Sequence, residues 1–420
     1  MSIPNEKRQR VCLLAYNTIA NDPRVRRQGD AFAGCGWEVR GIGLLQQTDA
    51  VPPIWLHDED CVQDTSHYAE ERKGRPTVSV WTKAIQTIYQ AVLHLTIRML
   101  PRLAGRLYWQ VVPVSTEFYK RAKTIEADIW VANDWYMLPL ALRLREENGG
   151  KVIYDSHELA VEEGKGRLIW RLLRRPLVAA LEAEGIGRVD AVMTVSQGIA
   201  DYLYRKYSLD NRPSVIRSVP PYESPPERED NETLKILYHG LLSPGRGLEC
   251  CIEAASLWKN SAHLFLRGPV NQTYEKALRR EIRKWGVEEK VVVLPPVPAD
   301  RLVQEATLFD VGIFVLSGDT MHNRHVLPNK FFEYIMAGLC VCVSNLPEMR
   351  HIVETFDIGK LIPSPTAKSI ADVVDSLDPD SVVRFKSKSQ KAGELLCWER
   401  ESQHLIELAN AVLSTSRQEM

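Results

Sequence analysis

Short apolar runs alternate with segments of helical periodicity along almost the whole chain. The alternation predicts parallel strands joined by crossover helices, because a parallel connection needs a dozen or more residues and is usually a helix. The predicted fold class is therefore α/β, with one parallel sheet in each half of the chain. The runs lie at 11–16, 128–133, 151–156 and 191–196 in the first half, with a further strand predicted to begin at Trp37, and at 235–240, 263–268, 290–295, 311–316 and 339–345 in the second.

A segment rich in proline and charge interrupts this alternation at residues 218–233. A chain of 420 residues has room for two or three domains of about 150 residues, so the interruption is the predicted domain boundary. We expect an N-terminal domain over residues 1–218, a linker over 219–233, a C-terminal domain over 234–396 and a terminal helix within 397–420. The helix is indicated by the helical spacing of Leu405, Leu408, Ala409, Val412 and Leu413.

One segment of the first half, residues 83–123, departs from the alternation. It combines seven basic residues and one acidic residue with many apolar and aromatic side chains, and residues 167–175 have the same character. A basic amphipathic helix can lie on an anionic membrane, with its apolar face among the acyl chains and its cations at the headgroups. Helices that pack on the first sheet and expose a basic rim are the alternative.

Charge, cysteine content and apolar run length exclude several classes of protein. The chain has 53 Lys and Arg against 54 Asp and Glu, so no overall positive field attracts nucleic acid, and we expect no such partner. The eight cysteines contain no C-x-x-C pair, which predicts reduced thiols in a cytoplasmic protein. No apolar run reaches the roughly 20 residues of a membrane span, and the first is too short for a signal peptide.

Two loops carry charged residues at positions suited to an anion. Arg246 directly precedes a predicted helix in HGLLSPGRGLE, where free backbone N–H groups and the helix dipole favour phosphate. Lys330 and Glu333 share one helix face in LPNKFFEY, which suits a diphosphate and the ribose next to it. An ordinary loop and a surface ion pair are the alternatives. The histidine pair of HNRH, residues 322–325, has no clear third ligand, so we expect no metal site.

Five segments resemble, in the same order, nucleotide-sugar-dependent glycosyltransferases of the GT-B fold, family 4 type. They are DPRVRRQGDAFAGCGWEV, YDSHEL, VDAVMTVSQGIADYL, HGLLSPGRGLE and LPNKFFEYIMAGLCVCVSNLPEM, beginning at residues 22, 154, 189, 239 and 327. The last is the most specific. The resemblance implies two Rossmann-like domains that face a central cleft, a C-terminal helix that crosses back to the N-terminal domain, and retention of configuration at the transferred sugar.

The resemblance also implies roles for individual residues. His157, Arg246 and Lys330 would be catalytic, with His157 approaching the donor sugar across the cleft. The other expected contacts are Arg246, Lys330 and Asn329 with the donor diphosphate, Glu333 with the ribose, His325 and His157 with the donor sugar, Gly268 and Val297 in nucleobase loops, and Asn17, Asp22 and Arg24 on the acceptor side.

Two positions depart from the family pattern: His325 occupies the place of a common glutamate, and Pro328 the place of a common glycine. The expected activity is transfer from a UDP- or GDP-linked sugar to an acceptor hydroxyl, without a cofactor or essential metal. The basic segment adds the expectation of a glycan or lipid-linked acceptor at the inner membrane face, in bacterial envelope or exopolysaccharide synthesis. A nucleotide-sugar 2-epimerase and a non-catalytic GT-B subunit that supports a partner glycosyltransferase are the alternatives.

Overall fold

The computed structural model describes residues 8–45, 52–62, 80–162, 168, 170–226 and 233–415. Contacts divide the chain into two compact units, one formed by Met1–Ile216 with Ser402–Met420 and the other by Arg217–Glu401. Each unit contains one parallel sheet with helices between its strands. The prediction of an α/β protein with two parallel sheets is confirmed.

The first unit has a seven-stranded parallel sheet in the order β3-β2-β1-β4-β5-β6-β7. Each strand predicted here is present, with its ends shifted by at most two residues. The strand order reverses between β1 and β4, and a reversal of this kind opens a crevice at the carboxyl ends of the two strands. The strands are β1 Arg10–Ala15, β2 Glu38–Leu44, β3 Cys61–Val62, β4 Ile129–Asn133, β5 Lys151–Ser156, β6 Ala191–Thr194 and β7 Ser214–Val215.

Seven helices of the first unit lie between or after these strands. Helix α1 begins with the sequence features that favour a helix start: the Asp22 side chain accepts hydrogen bonds from the backbone N–H groups of Arg24 and Val25, and Pro23 is the first helical residue. The helices are α1 Pro23–Gly34, α2 Val80–Met99, α3 Ala104–Val111, α4 Ser115–Ala122, α5 Leu138–Asn148, α6 Arg175–Gly185 and α7 Gln197–Tyr207.

The unusual basic segment forms helices α2, α3 and α4. Leu93 and Ile97 of α2 are buried, and Ile97 belongs to an apolar cluster with Tyr108 of α3 and Leu177 of α6. One face of α2 therefore packs on neighbouring helices, as the alternative interpretation of this segment requires. Within the described residues, no helix combines the length and the apolar content needed to cross a bilayer.

The second unit has a six-stranded parallel sheet in the order β10-β9-β8-β11-β12-β13. Its strand order reverses between β8 and β11, so a second crevice opens at the carboxyl ends of these strands. The strands are β8 Leu234–His239, β9 Ala262–Arg267, β10 Val291–Leu294, β11 Val311–Phe314, β12 Cys340–Ser344 and β13 Gly359–Ile362.

Of the nine α-helices in the described part of the second unit, six connect its strands and three follow the last strand. The ninth helix, α16, confirms the amphipathic helix predicted near the C-terminus, and its residues from Ser402 onwards group with the first unit. The helices are α8 Leu248–Leu257, α9 Gln272–Trp285, α10 Leu302–Ala306, α11 Met321–His325, α12 Asn329–Met336, α13 Pro347–Phe356, α14 Ala367–Asp375, α15 Pro379–Leu395 and α16 Trp398–Ser414.

Candidate functional site

Lys330 occupies the crevice of the second unit, in the first turn of α12. Its side chain is only 7% exposed. The ammonium group donates a hydrogen bond of 2.8 Å to the Tyr238 hydroxyl and lies 4.1 Å and 4.8 Å from the ring centroids of Tyr238 and Phe314. Tyr238 is near the end of β8 and Phe314 ends β11, so the fold holds a buried cation where the strand order reverses.

The charge of Lys330 is poorly compensated. Within the described ranges, no carboxylate lies within ion-pair distance of its ammonium group. Burial, and after it the positive charge of Arg246, lower the pKa of Lys330 to about 7, while Glu333 acts in the opposite direction. A buried cation that lacks a counter-charge is stabilised by an anion from solution. The structure thus brings two of the predicted diphosphate-binding residues, Lys330 and Arg246, into electrostatic contact.

Arg246 lies two residues before α8, as the sequence predicted. Its Nε donates to the Ser243 hydroxyl at 3.3 Å. Gly247 occupies the N-cap position with a φ of +72°, and no side chain caps the helix. A Cβ atom at Gly247 would overlap the carbonyl oxygen of Val315, so both the conformation and the close approach require glycine. The first turn of α8 leaves backbone N–H groups near Arg246 for a ligand oxygen.

Gly240 and Gly268 bring two loops of this crevice together. Gly240 follows β8 with a φ of +109°, and a Cβ atom there would lie 3.0 Å from the Lys330 ammonium nitrogen. Gly268 follows β9, and a Cβ atom on it would overlap the Gly240 carbonyl oxygen. Gly268, predicted for a nucleobase loop, is therefore next to the loop that meets Lys330. Val297, predicted for the same role, is half-buried in the loop after β10.

The remaining residues predicted for the donor are on α11 and α12. Asn329 is the first residue of α12, and Glu333 lies one turn after Lys330. A carboxylate oxygen of Glu333 is 2.8 Å from Nε2 of His239, the last residue of β8. His325 ends the separate helix α11, where its Nδ1 is 3.4 Å from a carboxylate oxygen of Glu348.

His157 lies in the crevice of the first unit, directly after β5. Its Nε2 is 3.0 Å from an Asp155 carboxylate oxygen and 3.1 Å from the Asn133 amide oxygen, and its Nδ1 is 3.4 Å from Asp134. Burial opposes the charged form, but the carboxylates of Asp134 and Asp155 outweigh it and raise the pKa of His157 to about 9. The imidazole is therefore a cation at neutral pH.

Asp134 adds a strained backbone to this cluster. It follows β4 with a φ of +65°, a conformation that is uncommon outside glycine. Burial raises the pKa of the Asp134 carboxyl to about 6, against the charge of His157. Strain of this kind persists where the surrounding structure enforces it and is concentrated at functional sites. Asp134 was not predicted from the sequence, although the polar pair Asn133–Asp134 at the end of a buried strand was a usable signal.

Arg24 is held by a buried ion pair. Its Nε and Nη2 donate to the two Asp155 carboxylate oxygens, each at 2.7 Å, and its Nη1 donates to the Ile216 carbonyl at 2.8 Å. Arg24 is 5% exposed and Asp155 is fully buried. Asn17 donates to Asp22, which caps α1. In this structure the three residues predicted for the acceptor side fix α1 and the carboxylate next to His157; their contact with an acceptor stays a prediction.

The described parts of the chain contain no cluster of three or more His, Cys, Asp or Glu residues that could hold a metal ion. The charged groups that converge in the two crevices are instead Lys330 with Arg246, and His157 with Asp134, Asp155 and Arg24. The first set is suited to an anionic ligand, and the second presents a charged imidazole beside a carboxylate of raised pKa.

Two protein-family models match adjoining parts of the chain. The model described as glycosyl transferase 4-like domain matches residues 22–220, and the one described as glycosyl transferases group 1 matches residues 222–392. Together they include His157 of the first crevice and Lys330 of the second. A search of curated proteins gives no significant match.

Solved structures of glycosyltransferases share the fold over nearly their whole length. A sucrose-phosphate synthase from Thermosynechococcus elongatus aligns with a TM-score of 0.70 at 14% identity, over 97% of this chain and 100% of that chain. HepE from Anabaena, solved with UDP-glucose, gives 0.68 at 12% identity, over 96% and 99%. WaaG, a glycosyltransferase involved in lipopolysaccharide biosynthesis, gives 0.60 at 14% identity, over 93% and 98%. At sequence identities this low, the structural similarity shows a shared fold and nothing more specific.

Proposed function

This chain belongs to the GT-B glycosyltransferases of the family 4 type, and on that premise we propose that it transfers a sugar from a UDP- or GDP-linked donor to an acceptor hydroxyl with retention of configuration. The observation that carries the donor proposal is the buried ammonium of Lys330, which forms no ion pair with a carboxylate of the described residues and is within electrostatic range of Arg246 where the strand order reverses. HepE, which shares the fold, has been solved with UDP and with UDP-glucose.

In the proposed reaction, Lys330, Arg246 and the N-terminus of α8 bind the diphosphate of the donor. Negative charge builds up on this diphosphate as its bond to the sugar breaks, and fixed positive groups in a site of low dielectric stabilise that charge. Asn329 at the start of α12 would add a polar contact, and Glu333 would accept hydrogen bonds from the ribose. Because two cations already balance the diphosphate, we propose that no metal is essential.

We propose that His157 and His325 contact the donor sugar. The support for His157 is its fixed and charged ring: a cationic imidazole donates hydrogen bonds and does not accept a proton. In this role it would bind sugar hydroxyls, and the departing diphosphate would take the acceptor proton on the same face of the sugar. Gly268 and Val297 would line the nucleobase loops.

The donor class is tested by thermal-shift screening against UDP, GDP, ADP and dTDP. A ligand that binds only the folded protein raises the unfolding temperature by mass action. We expect UDP or GDP to give the largest shift. Product analysis with the matching sugar nucleotide then separates the reactions, because epimerised donor formed in the absence of any acceptor would contradict sugar transfer.

Binding of the diphosphate should take up a proton at alkaline pH. With a pKa of about 7, Lys330 is mostly neutral at pH 8 in the free protein, and a bound diphosphate restores its charge. We therefore expect affinity for UDP or GDP to weaken as pH rises above 7, by up to about tenfold per pH unit. Calorimetry at pH 8 in two buffers of different ionisation enthalpy measures the uptake.

The variant Lys330→Met is the control for this proton uptake. It lacks the titrating group, so its observed binding heat, without any correction, should be the same in both buffers, whereas that of wild type should differ between them. Uptake that persists in Lys330→Met would assign the proton to another group.

We also propose that the enzyme acts on a lipid-linked acceptor at a membrane surface, in bacterial envelope or exopolysaccharide synthesis. The support is a second apolar face on α2, opposite the buried residues Leu93 and Ile97. Its members are exposed by between 49% and 77% and recur at helical spacing, and they are Ile85, Ile88, Tyr89, Val92, Leu95 and Met99. An apolar stripe of about 14 residues extends roughly 21 Å along a helix, far more than scattered surface residues require.

The charges around this stripe match an anionic surface. Residues 80–116 contain no Asp or Glu, whereas Arg98, Arg102 and Arg106 follow one another on and after α2. Arg98 donates to the Leu172 carbonyl, which brings the second basic segment next to the stripe. Trp135, the neighbour of Asp134, shares an apolar cluster with Ile97 of α2. The helix that carries the stripe thus shares an apolar cluster with the neighbour of Asp134, whose carboxylate lies 3.4 Å from His157.

Vesicle flotation tests the membrane proposal. We expect the protein to float with vesicles that contain about 30% phosphatidylglycerol and to stay behind with phosphatidylcholine alone. Val92→Glu should weaken binding by about tenfold, because a charge replaces an apolar side chain that enters the interface. The matched control Val383→Glu changes an apolar residue of α15 that is 46% exposed, and it should bind as wild type does. Binding independent of anionic lipid would contradict the proposal.

A further inference from the structure

His239 is a fully buried histidine at the end of β8, next to the candidate diphosphate site. Its backbone N–H donates to the Tyr334 hydroxyl at 3.0 Å, and its ring centroid lies 4.8 Å from that of Tyr334. The Tyr334 hydroxyl donates in turn to the Ile313 carbonyl of β11 at 3.2 Å. One tyrosine of α12 therefore holds both strands that border the crevice, and with them the position of the His239 ring.

Gly312 makes room for this arrangement. It lies on β11, and a Cβ atom there would overlap the ring of Tyr334. Tyr334 is itself fully buried. The ring of His239 is therefore held by close packing, which leaves it little freedom to turn away from Glu333.

The His239 imidazole is buried without hydrogen-bond partners in the described part of the chain, which costs free energy that an apolar side chain would not cost. Its Nε2 lies 2.8 Å from a Glu333 carboxylate oxygen, yet the contact lacks hydrogen-bond geometry, and among the described residues neither ring nitrogen has a hydrogen-bond partner. Buried polar atoms without partners are uncommon and call for an explanation. The Glu333 side chain is 18% exposed, so its carboxylate contacts the buried imidazole and is still accessible to a ligand.

We infer that His239 is a positioning residue: its fixed imidazole, whose Nε2 lies 2.8 Å from one oxygen of the Glu333 carboxylate, restricts that carboxylate and directs its other oxygen at the ribose hydroxyls of the donor. This inference rests on the proposed role of Glu333. A carboxylate at the end of a flexible side chain loses conformational entropy when it binds a ligand. A fixed neighbour that already restricts the side chain reduces this entropy cost of binding. His239 acts through Glu333 and does not itself touch the nucleotide.

The test measures how strongly the protein prefers a ribose over a sugar that lacks both hydroxyls. Affinities are determined for UDP and for 2′,3′-dideoxy-UDP, or for the GDP pair if GDP binds more tightly. We expect wild type to prefer the ribose form by about tenfold, the size typical of a hydrogen bond to a charged group. His239→Val should reduce this preference to within about twofold, and His239→Gln, whose amide can reach the same carboxylate, should restore most of it.

Two comparisons keep the result unambiguous. Affinity for the dideoxy nucleotide should be the same in wild type and His239→Val, which shows that the variant is folded and that its diphosphate site is intact. His263→Val removes a half-buried histidine from the neighbouring strand β9 and should keep the full preference. If the preference for the ribose form is unchanged in His239→Val but lost in Glu333→Gln, the positioning role of His239 is overturned while the proposed ribose contact of Glu333 stands. An unchanged preference in Glu333→Gln would overturn the proposed ribose contact and the inference with it.

Discussion

Lys330→Ala should lower kcat/KM by about 10² to 10³, the usual loss when one fixed group that stabilises transition-state charge is removed. The ammonium of Lys330 is buried in the crevice of the second unit, and it lies where the departing diphosphate is expected to gain negative charge. Arg246→Ala should act in the same direction. Steady-state assays with a sugar nucleotide and product quantification measure the effect.

Stability measurements separate this loss of activity from unfolding. Burial already disfavours the charged form of Lys330, so its removal should leave the unfolding temperature within a few degrees of wild type. Lys330→Met retains most of the side-chain volume and should be as inactive as Lys330→Ala. The control Lys284→Ala removes a cation that is 58% exposed and paired with Glu281, and it should be fully active. Lys330 variants with activity within threefold of wild type would exclude the assigned role.

The central strands could be predicted from the sequence because they are buried on both sides. Each residue of β4 and of β12 is buried, which gives the continuous apolar runs from which the α/β class was inferred. The strands β3, β7 and β13 were missed. β3 and β7 have two residues each, and the first three residues of β13 are half-buried, so none forms an apolar run. Edge strands form because they pair with a neighbouring strand, and this pairing is poorly predicted from the local sequence.

The position of Arg246 before a helix and the spacing of Lys330 and Glu333 could likewise be read from the sequence, because both depend on residues a few positions apart. The partners of these residues could not. Lys330 donates a hydrogen bond to Tyr238, which is 92 positions away in the chain. Glu333 contacts His239, the residue that follows Tyr238 in β8. Parallel strands far apart in the chain end at one edge of the sheet, and only the tertiary fold determines which side chains meet there.

The buried pair of Arg24 and Asp155 shows the same limit in the first unit. Arg24 follows a helix cap and carries a charge, features that suit a ligand contact as well as a structural role. The two residues are 131 positions apart, and their pairing depends on α1 packing over the carboxyl end of β5. Asp155 was within the recognised segment YDSHEL, but nothing in that segment indicates that its carboxylate is fully buried.

Arg24→Met should therefore destabilise the first unit strongly, by about 3 to 5 kcal/mol, because it leaves the fully buried Asp155 carboxylate without its cation. Burial by itself raises the pKa of Asp155, but Arg24 and His157 outweigh it and hold that pKa well below its usual range. The stabilisation is thus fully present above about pH 4, the usual pKa of an aspartate, and is lost as pH falls below it. Urea denaturation at pH 7, followed by tryptophan fluorescence, measures the change.

Two further variants distinguish a broken buried pair from a general loss of packing. In Arg24→Met/Asp155→Leu neither charge remains, so this double variant should recover part of the stability lost in Arg24→Met. Arg188→Met breaks a surface pair with Glu146 in the same unit, where Arg188 is 45% exposed, and should cost less than about 1 kcal/mol. The single variant Asp155→Leu completes the comparison. If the double variant loses as much stability as Arg24→Met and Asp155→Leu lose together, the two side chains stabilise the unit independently, and the ion pair does not account for the effect.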